Sequence, residues 1–215
     1  MKNNTTTQFI AKEGWKYLFV IAVVFVVSMF FNFLSWVVLV IFALTLYLFR
    51  NPERLPAEDD DMAILAPADG TVFEISKVKY RDGKEYIKVG IQKSLLEVSL
   101  LRSPTKINIL KTDRRHGLFL PLSNEYSKEL GEKVSLSCQS NYNNIFMDIN
   151  AGMFSRKIDL FKTVGPLKTA QRFGLLVDGS VVLYLPLDSR VKVAVGDELK
   201  AGESVLGYFA HKESS

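Results

Sequence analysis

The chain has 215 residues, 48% hydrophobic and 23% charged, with 27 Lys and Arg against 23 Asp and Glu for a formal net charge of +4. That composition is globular and argues against a disordered or fibrous chain, and its basic residues lack the aromatic interleaving of a nucleic-acid surface, so no nucleic-acid partner is expected. The one cysteine, Cys138, excludes an intrachain disulfide and fits a reducing compartment.

The first feature in chain order is "YLFVIAVVFVVSMFFNFLSWVVLVIFALTLYLF", Tyr17 to Phe49, which contains no charged residue. As one straight helix it would run about 50 Å at about 1.5 Å per residue, well beyond a hydrocarbon core of about 30 Å. Two helices of about fifteen residues, with "FNFLS" (Phe31 to Ser35) as the bend, make a membrane hairpin that either spans or re-enters. Lys2, Lys12 and Lys16 before it and Arg50 and Arg54 after it put both flanks on the cytoplasmic side of the cell membrane. A cleaved signal peptide is the competing reading, opposed by the length of the stretch and the lack of an A-x-A-like exit.

Residues 50–63 then read as a linker, with Pro52, Pro56 and the acidic run Glu58 to Asp61. From Ile64 the chain breaks into short apolar runs, among them "TVFEISKV", "YIKVGIQ", "KINIL" and "SVVLYLP". Such spacing predicts a mainly β sandwich or barrel, with one short helix over Tyr126 to Lys133. The expected domains are 1–49 (N-terminal segment and membrane hairpin), 50–63 (linker) and 64–215 (β-rich catalytic domain). Strand edges leave room for a homo-oligomer.

Two segments echo each other. "TVGPLKTAQRFG" (Thr163 to Gly174) and "AVGDELKAGESVLG" (Ala194 to Gly207) share V-G, then L-K, then a closing Gly. The pattern resembles the turns of lipoyl- and biotinyl-type barrel-sandwich domains. Those carriers hold a modified lysine at a hairpin tip. Here the corresponding tip is "LLVDGSVVLYLP", where Asp178-Gly179 predicts a two-residue hairpin turn without a lysine.

Three pieces in order, "FRNPERLP" with "ILAPADGTVFEI", "SLLEVSLLRSPTK" and "QRFGLLVDGSVVLYLP", resemble the short form of phosphatidylserine decarboxylase, a pattern shared with the archaetidylserine decarboxylases. The resemblance covers nearly the whole chain and implies self-cleavage of the Gly179-Ser180 bond. Ser180 would attack the preceding carbonyl, the ester would eliminate, and hydrolysis would leave a pyruvoyl group as the only cofactor, with no metal. That carbonyl would form a Schiff base with a serine phospholipid, here phosphatidylserine, and serve as electron sink when CO₂ departs. A small and a large chain would remain partnered.

The resemblance also implies that Asp69 helps activate the serine and that Arg102 meets a phosphate; as a local feature, Asp69 before Gly70 is a turn residue. It carries departures too. Where the family usually reads Asp-Val-His-Val-Asn-Arg, this chain has Glu97-Val98-Ser99-Leu100-Leu101-Arg102. Serine cannot do the proton transfer of the expected imidazole. Glu97 keeps a carboxylate one methylene longer. His116 is the histidine available as a substitute, His211 falling in the tail. A family member with altered decarboxylation and a non-enzymatic membrane-bound β module stand as alternatives.

Overall fold

The computed structural model describes residues 14–30, 35–48, 50, 52–56, 60–119, 130–141, 143–155 and 157–210. The chain divides into two compact units, Met1–Glu53 and Arg54–Ser215. In the first, helices α1 (Gly14–Phe30) and α2 (Ser35–Leu48) pack on each other. They are apolar on every side, and Trp15, Phe19, Trp36 and Val40 stand exposed. Both helices lie within the expected hairpin stretch, and residues 31–34 of its expected bend lie outside the described residues. At 17 and 14 residues, however, no helix among the described residues is long and apolar enough to cross a membrane.

The second unit is mainly β. Its strands are β1 (Ala63–Leu65), β2 (Gly70–Lys79), β3 (Glu85–Lys93), β4 (Leu100–Arg102), β5 (Ile107–Arg115), β6 (Lys133–Ser140), β7 (Asn144–Ala151), β8 (Asp159–Leu160), β9 (Gly165–Leu167), β10 (Arg172–Leu175), β11 (Gly179–Pro186), β12 (Arg190–Val191), β13 (Glu198–Leu199) and β14 (Val205–Tyr208). The large antiparallel sheet runs β13-β2-β3-β11-β7-β6-β5-β9, beside the small sheets β1-β14-β12 and β4-β10-β8. Alternate residues of the central strands build one core face: Val89 and Ile91, Val181, Leu183 and Leu185, Ile145, Met147 and Ile149, Val134, Leu136 and Cys138. Burial pushes the Cys138 thiol up to about 12, so it packs as a small apolar group.

Two local expectations are corrected. Lys133, the end of the expected helix, opens β6, because Val134, Leu136 and Cys138 bury with the strand period of two; residues 126–129 lie outside the described residues. Asp178-Gly179 closes no hairpin. β10 pairs with β4 and β8, and the chain crosses at residues 176–178 into the large sheet, where β11 pairs with β3 and β7. Gly179 is therefore already flanked by ladder partners, Lys93 and Ala151.

The sequence echo is a structural repeat. Gly165 and Gly196 both have left-handed φ (106° and 99°), as do Ala170 and Gly202 (57° and 70°). The amides of Gln171 and Glu203 donate to the carbonyls of Lys168 and Lys200, both at 3.1 Å. The preceding segments pair reciprocally: Leu65 N donates to Pro104 O at 2.7 Å and Arg102 N to Pro67 O at 2.8 Å. The large sheet has the same symmetry, with β13, β2, β3 and β11 answering β9, β5, β6 and β7.

Candidate active site

The start of β11 gathers most of the chemistry-bearing residues. Gly179 has φ 151°, and a Cβ on it would lie 2.1 Å from the Asn150 carbonyl oxygen, so no other residue fits without displacing the ladder. Ser180 follows in the next rung, between Gln92 and Asn150, and is 6% exposed. Its Oγ accepts a hydrogen bond from Asn150 Nδ2 at 3.2 Å.

The residue before the Gly-Ser pair is clamped by the loop after β7. Asp178 O accepts from Gly152 N at 2.9 Å and from Ser155 Oγ. The Asp178 amide donates back to Ser155 Oγ at 2.9 Å, and its carboxylate accepts from Phe154 N at 3.1 Å. Gly152 permits the approach, since a Cβ there would meet Asp178 Oδ2 at 2.2 Å. On the other side Leu176 N donates to Ser99 O at 2.8 Å, so the residue replacing the expected histidine braces the crossing segment through its backbone.

Opposite Gly179 stands Lys93, 1% exposed, whose Nζ donates to Ser94 O and Glu97 O at 3.1 Å each. Two carboxylates feel its charge. Asp69, 6% exposed, is gripped by the Arg54 guanidinium, with Nη2 to Oδ2 at 2.8 Å and a second bond from Nη1 to Oδ1, and it accepts from Ala201 N at 2.8 Å. Burial pushes the Asp69 carboxyl up. The Arg54 and Ala201 hydrogen bonds and the charges of Arg54 and Lys93 outweigh it, and the net shift is downward. For Glu97, burial is the largest influence and the net shift is upward, against the Ser94 amide at 2.7 Å and the Lys93 charge.

Asp69, Glu97, Gly179 and Ser180 thus share one end of the large sheet, with Lys93 among them. The other two expected residues do not join Ser180 directly. Arg102 lies in β4, in a different sheet, 5% exposed, with Nη1 donating to Ala170 O at 3.4 Å. His116 follows β5 with its side chain 81% exposed, its Nδ1 3.4 Å from the buried carboxylate of Glu132. No metal-ligand cluster of three or more His, Cys, Asp or Glu occurs among the described residues. A cavity of about 280 Å³ lined by Tyr80, Arg81, Lys133, Asp148 and Tyr184 belongs to the opposite end of β11.

Sequence reasoning missed Lys93, Asn150, Ser155 and Arg54. Lys93 reads as an ordinary surface lysine at a strand end, and Arg54 as a membrane flank. The signal for Arg54 was its place in the same motif as "PADG", which the structure turns into a buried ion pair.

A family model described as phosphatidylserine decarboxylase matches residues 41–207. The chain is 34% identical over 181 residues to a phosphatidylserine decarboxylase proenzyme of Ehrlichia chaffeensis, covering 81% of this chain and 80% of the relative. A Geotalea daltonii protein of the same name is 30% identical, with 96% and 99% covered, and one from Syntrophus aciditrophicus is 29% identical, with 94% and 98% covered.

Proposed function

The chain belongs to the phosphatidylserine decarboxylase family, and we propose that it works as a carboxy-lyase of phospholipid biosynthesis, turning phosphatidylserine into phosphatidylethanolamine after cutting itself between Gly179 and Ser180. The observation that carries this is Gly179 in a backbone region closed to other residues, held in a central strand directly before a buried serine. Strain of that kind persists only where the surroundings over-determine it, and it concentrates at reactive sites.

The residues fit a pyruvoyl group made from Ser180. The position is buried in a central strand, Asn150 Nδ2 donates to the Ser180 Oγ that would attack, and a glycine precedes it. Once formed, a pyruvoyl group supplies a carbonyl that withdraws electrons from the carbon losing CO₂. The chain's own residues do the rest. The bonds from Gly152 and Ser155 fix the Asp178 peptide so that the next carbonyl is presented to Ser180. Arg54 keeps Asp69 ionised, and Asp69 and Glu97 surround Lys93 with negative potential. Arg102 and His116 are assigned no step.

The two-fold repeat supports a barrel-sandwich architecture for residues 64–215, with 50–63 as linker and 1–49 carrying the membrane attachment. The exposed apolar side chains of α1 and α2 support embedding of that helix pair in the cell membrane, with the β unit on the cytoplasmic side. A cut after residue 179 leaves a small chain of 215 − 179 = 36 residues that carries β11 from Ser180 onward. Since β11 lies between β3 and β7, the small chain stays bound to the large one.

The test is intact-mass spectrometry of the purified full chain, joined to CO₂ release from phosphatidylserine vesicles. Two species of 179 and 36 residues, together with CO₂, are expected. A single uncut chain, or cut protein without CO₂ release, overturns the proposal.

A further inference from the structure

Lys93 is among the largest fully buried side chains of the described residues. Burying an ammonium is costly unless other groups stabilise it, and lysine is among the residues most seldom found inside. The architecture does not require one at this place. By the internal symmetry Gln92, opposite Thr71 on β2, is answered by Gln139, opposite Asn108 on β5, so the next residue of β3, Lys93, is answered by Ser140. A small hydroxyl suffices there, so the lysine serves something that the other half of the sheet does not do.

Its surroundings say what. Lys93 is the ladder partner of Gly179. Carbonyls of Ser94 and Glu97 accept from its Nζ at 3.1 Å each, and its charge acts on both Asp69 and Glu97. It shares the core face with Ile91, whereas Ser180 shares the opposite face with Asn150, so the two side chains lie on opposite faces of the sheet, one beside each end of the Gly179-Ser180 bond. The imidazole that could have moved protons here is replaced by Ser99, and His116 is turned to Glu132.

We propose that Lys93 is the general acid of the self-cleavage, delivering a proton to the nitrogen of Ser180 as the carbonyl carbon of Gly179 passes to the serine oxygen. The bond formed is Oγ to carbonyl carbon, and the bond broken is carbonyl carbon to nitrogen. The hydroxyl proton leaves to water, and water returns one to Lys93, so the step neither consumes nor releases protons overall. The inference rests on the reading that Gly179-Ser180 cuts itself.

The experiment follows the conversion of the full 215-residue chain, made by cell-free synthesis into detergent micelles, by intact mass over time. Lys93→Met and Lys93→Ser, the latter copying Ser140, are expected to cut at least about 100-fold more slowly than wild type while giving wild-type circular dichroism, the general-acid contribution being of that order. Lys93→Arg keeps the charge but holds its proton too tightly, and is expected to be equally slow. Cutting by the Ser or Arg variant at the wild-type rate overturns the role of Lys93 and leaves the proposed function standing. A wild-type chain that stays whole sinks both.

Discussion

The two halves of the large sheet share a plan and differ in what they carry. In one half β3 ends at Lys93 opposite Gly179; in the other β6 ends at Ser140, whose amide donates to Asn143 O at 2.9 Å and closes the short turn into β7. At the place where one half makes a local turn, the other brings together strands almost ninety positions apart in sequence. Asp69, gripped by Arg54, answers Lys106, which is exposed. The repeat supplies the architecture twice, and Asp69, Lys93, Gly179 and Ser180 of the candidate site lie in the half whose strand junction is not a simple turn.

The comparison breaks most sharply at the serine. Ser180→Ala is expected to abolish the cut, while Asn144→Ala at the answering position leaves it unchanged, both read by intact mass. Gly179→Ala drives a Cβ into the Asn150 carbonyl. It should block the cut and cost about 3 kcal/mol, overpacking and backbone strain together, as measured by urea denaturation of the precursor.

Smaller effects separate support from chemistry. Arg54→Met leaves the Asp69 carboxylate buried without its main partner and is expected to cost about 3 kcal/mol, whereas Lys106→Met should stay within about 0.5 kcal/mol. The Asp69 folded-state pKa lies below its unfolded value. Its contribution to stability is therefore full above the ordinary Asp range and is lost as pH falls through the lowered value. Urea titrations from pH 6 down to pH 2.5 should show that loss in wild type, and a reduced loss in Asp69→Asn. Ser155→Ala removes one of the donors on Asp178 O and should cost about 1 kcal/mol and slow the cut modestly.

The strands were legible because they depend on local periodicity: "YIKVGIQ" lies in β3 and "SVVLYLP" in β11. The Gly-Ser pair was legible through the resemblance. The hairpin was not, because Asp-Gly reports only what a local turn prefers, while β11 is captured by β3 and β7 from distant parts of the chain. Lys93 was hidden for a related reason. Burial of a lysine is decided by strands that meet in space, and "GIQKSLLE" carries no trace of them. Ser155 lies outside the family motifs, and its bonds to Asp178 span 23 residues.

The most direct test is the exact mass of the 36-residue fragment starting at position 180. Conversion of Ser180 predicts a fragment lighter by one ammonia than the same peptide beginning with serine, and resistant to N-terminal sequencing. A fragment with an unmodified serine at its N-terminus would mean ordinary proteolysis, and would contradict the account.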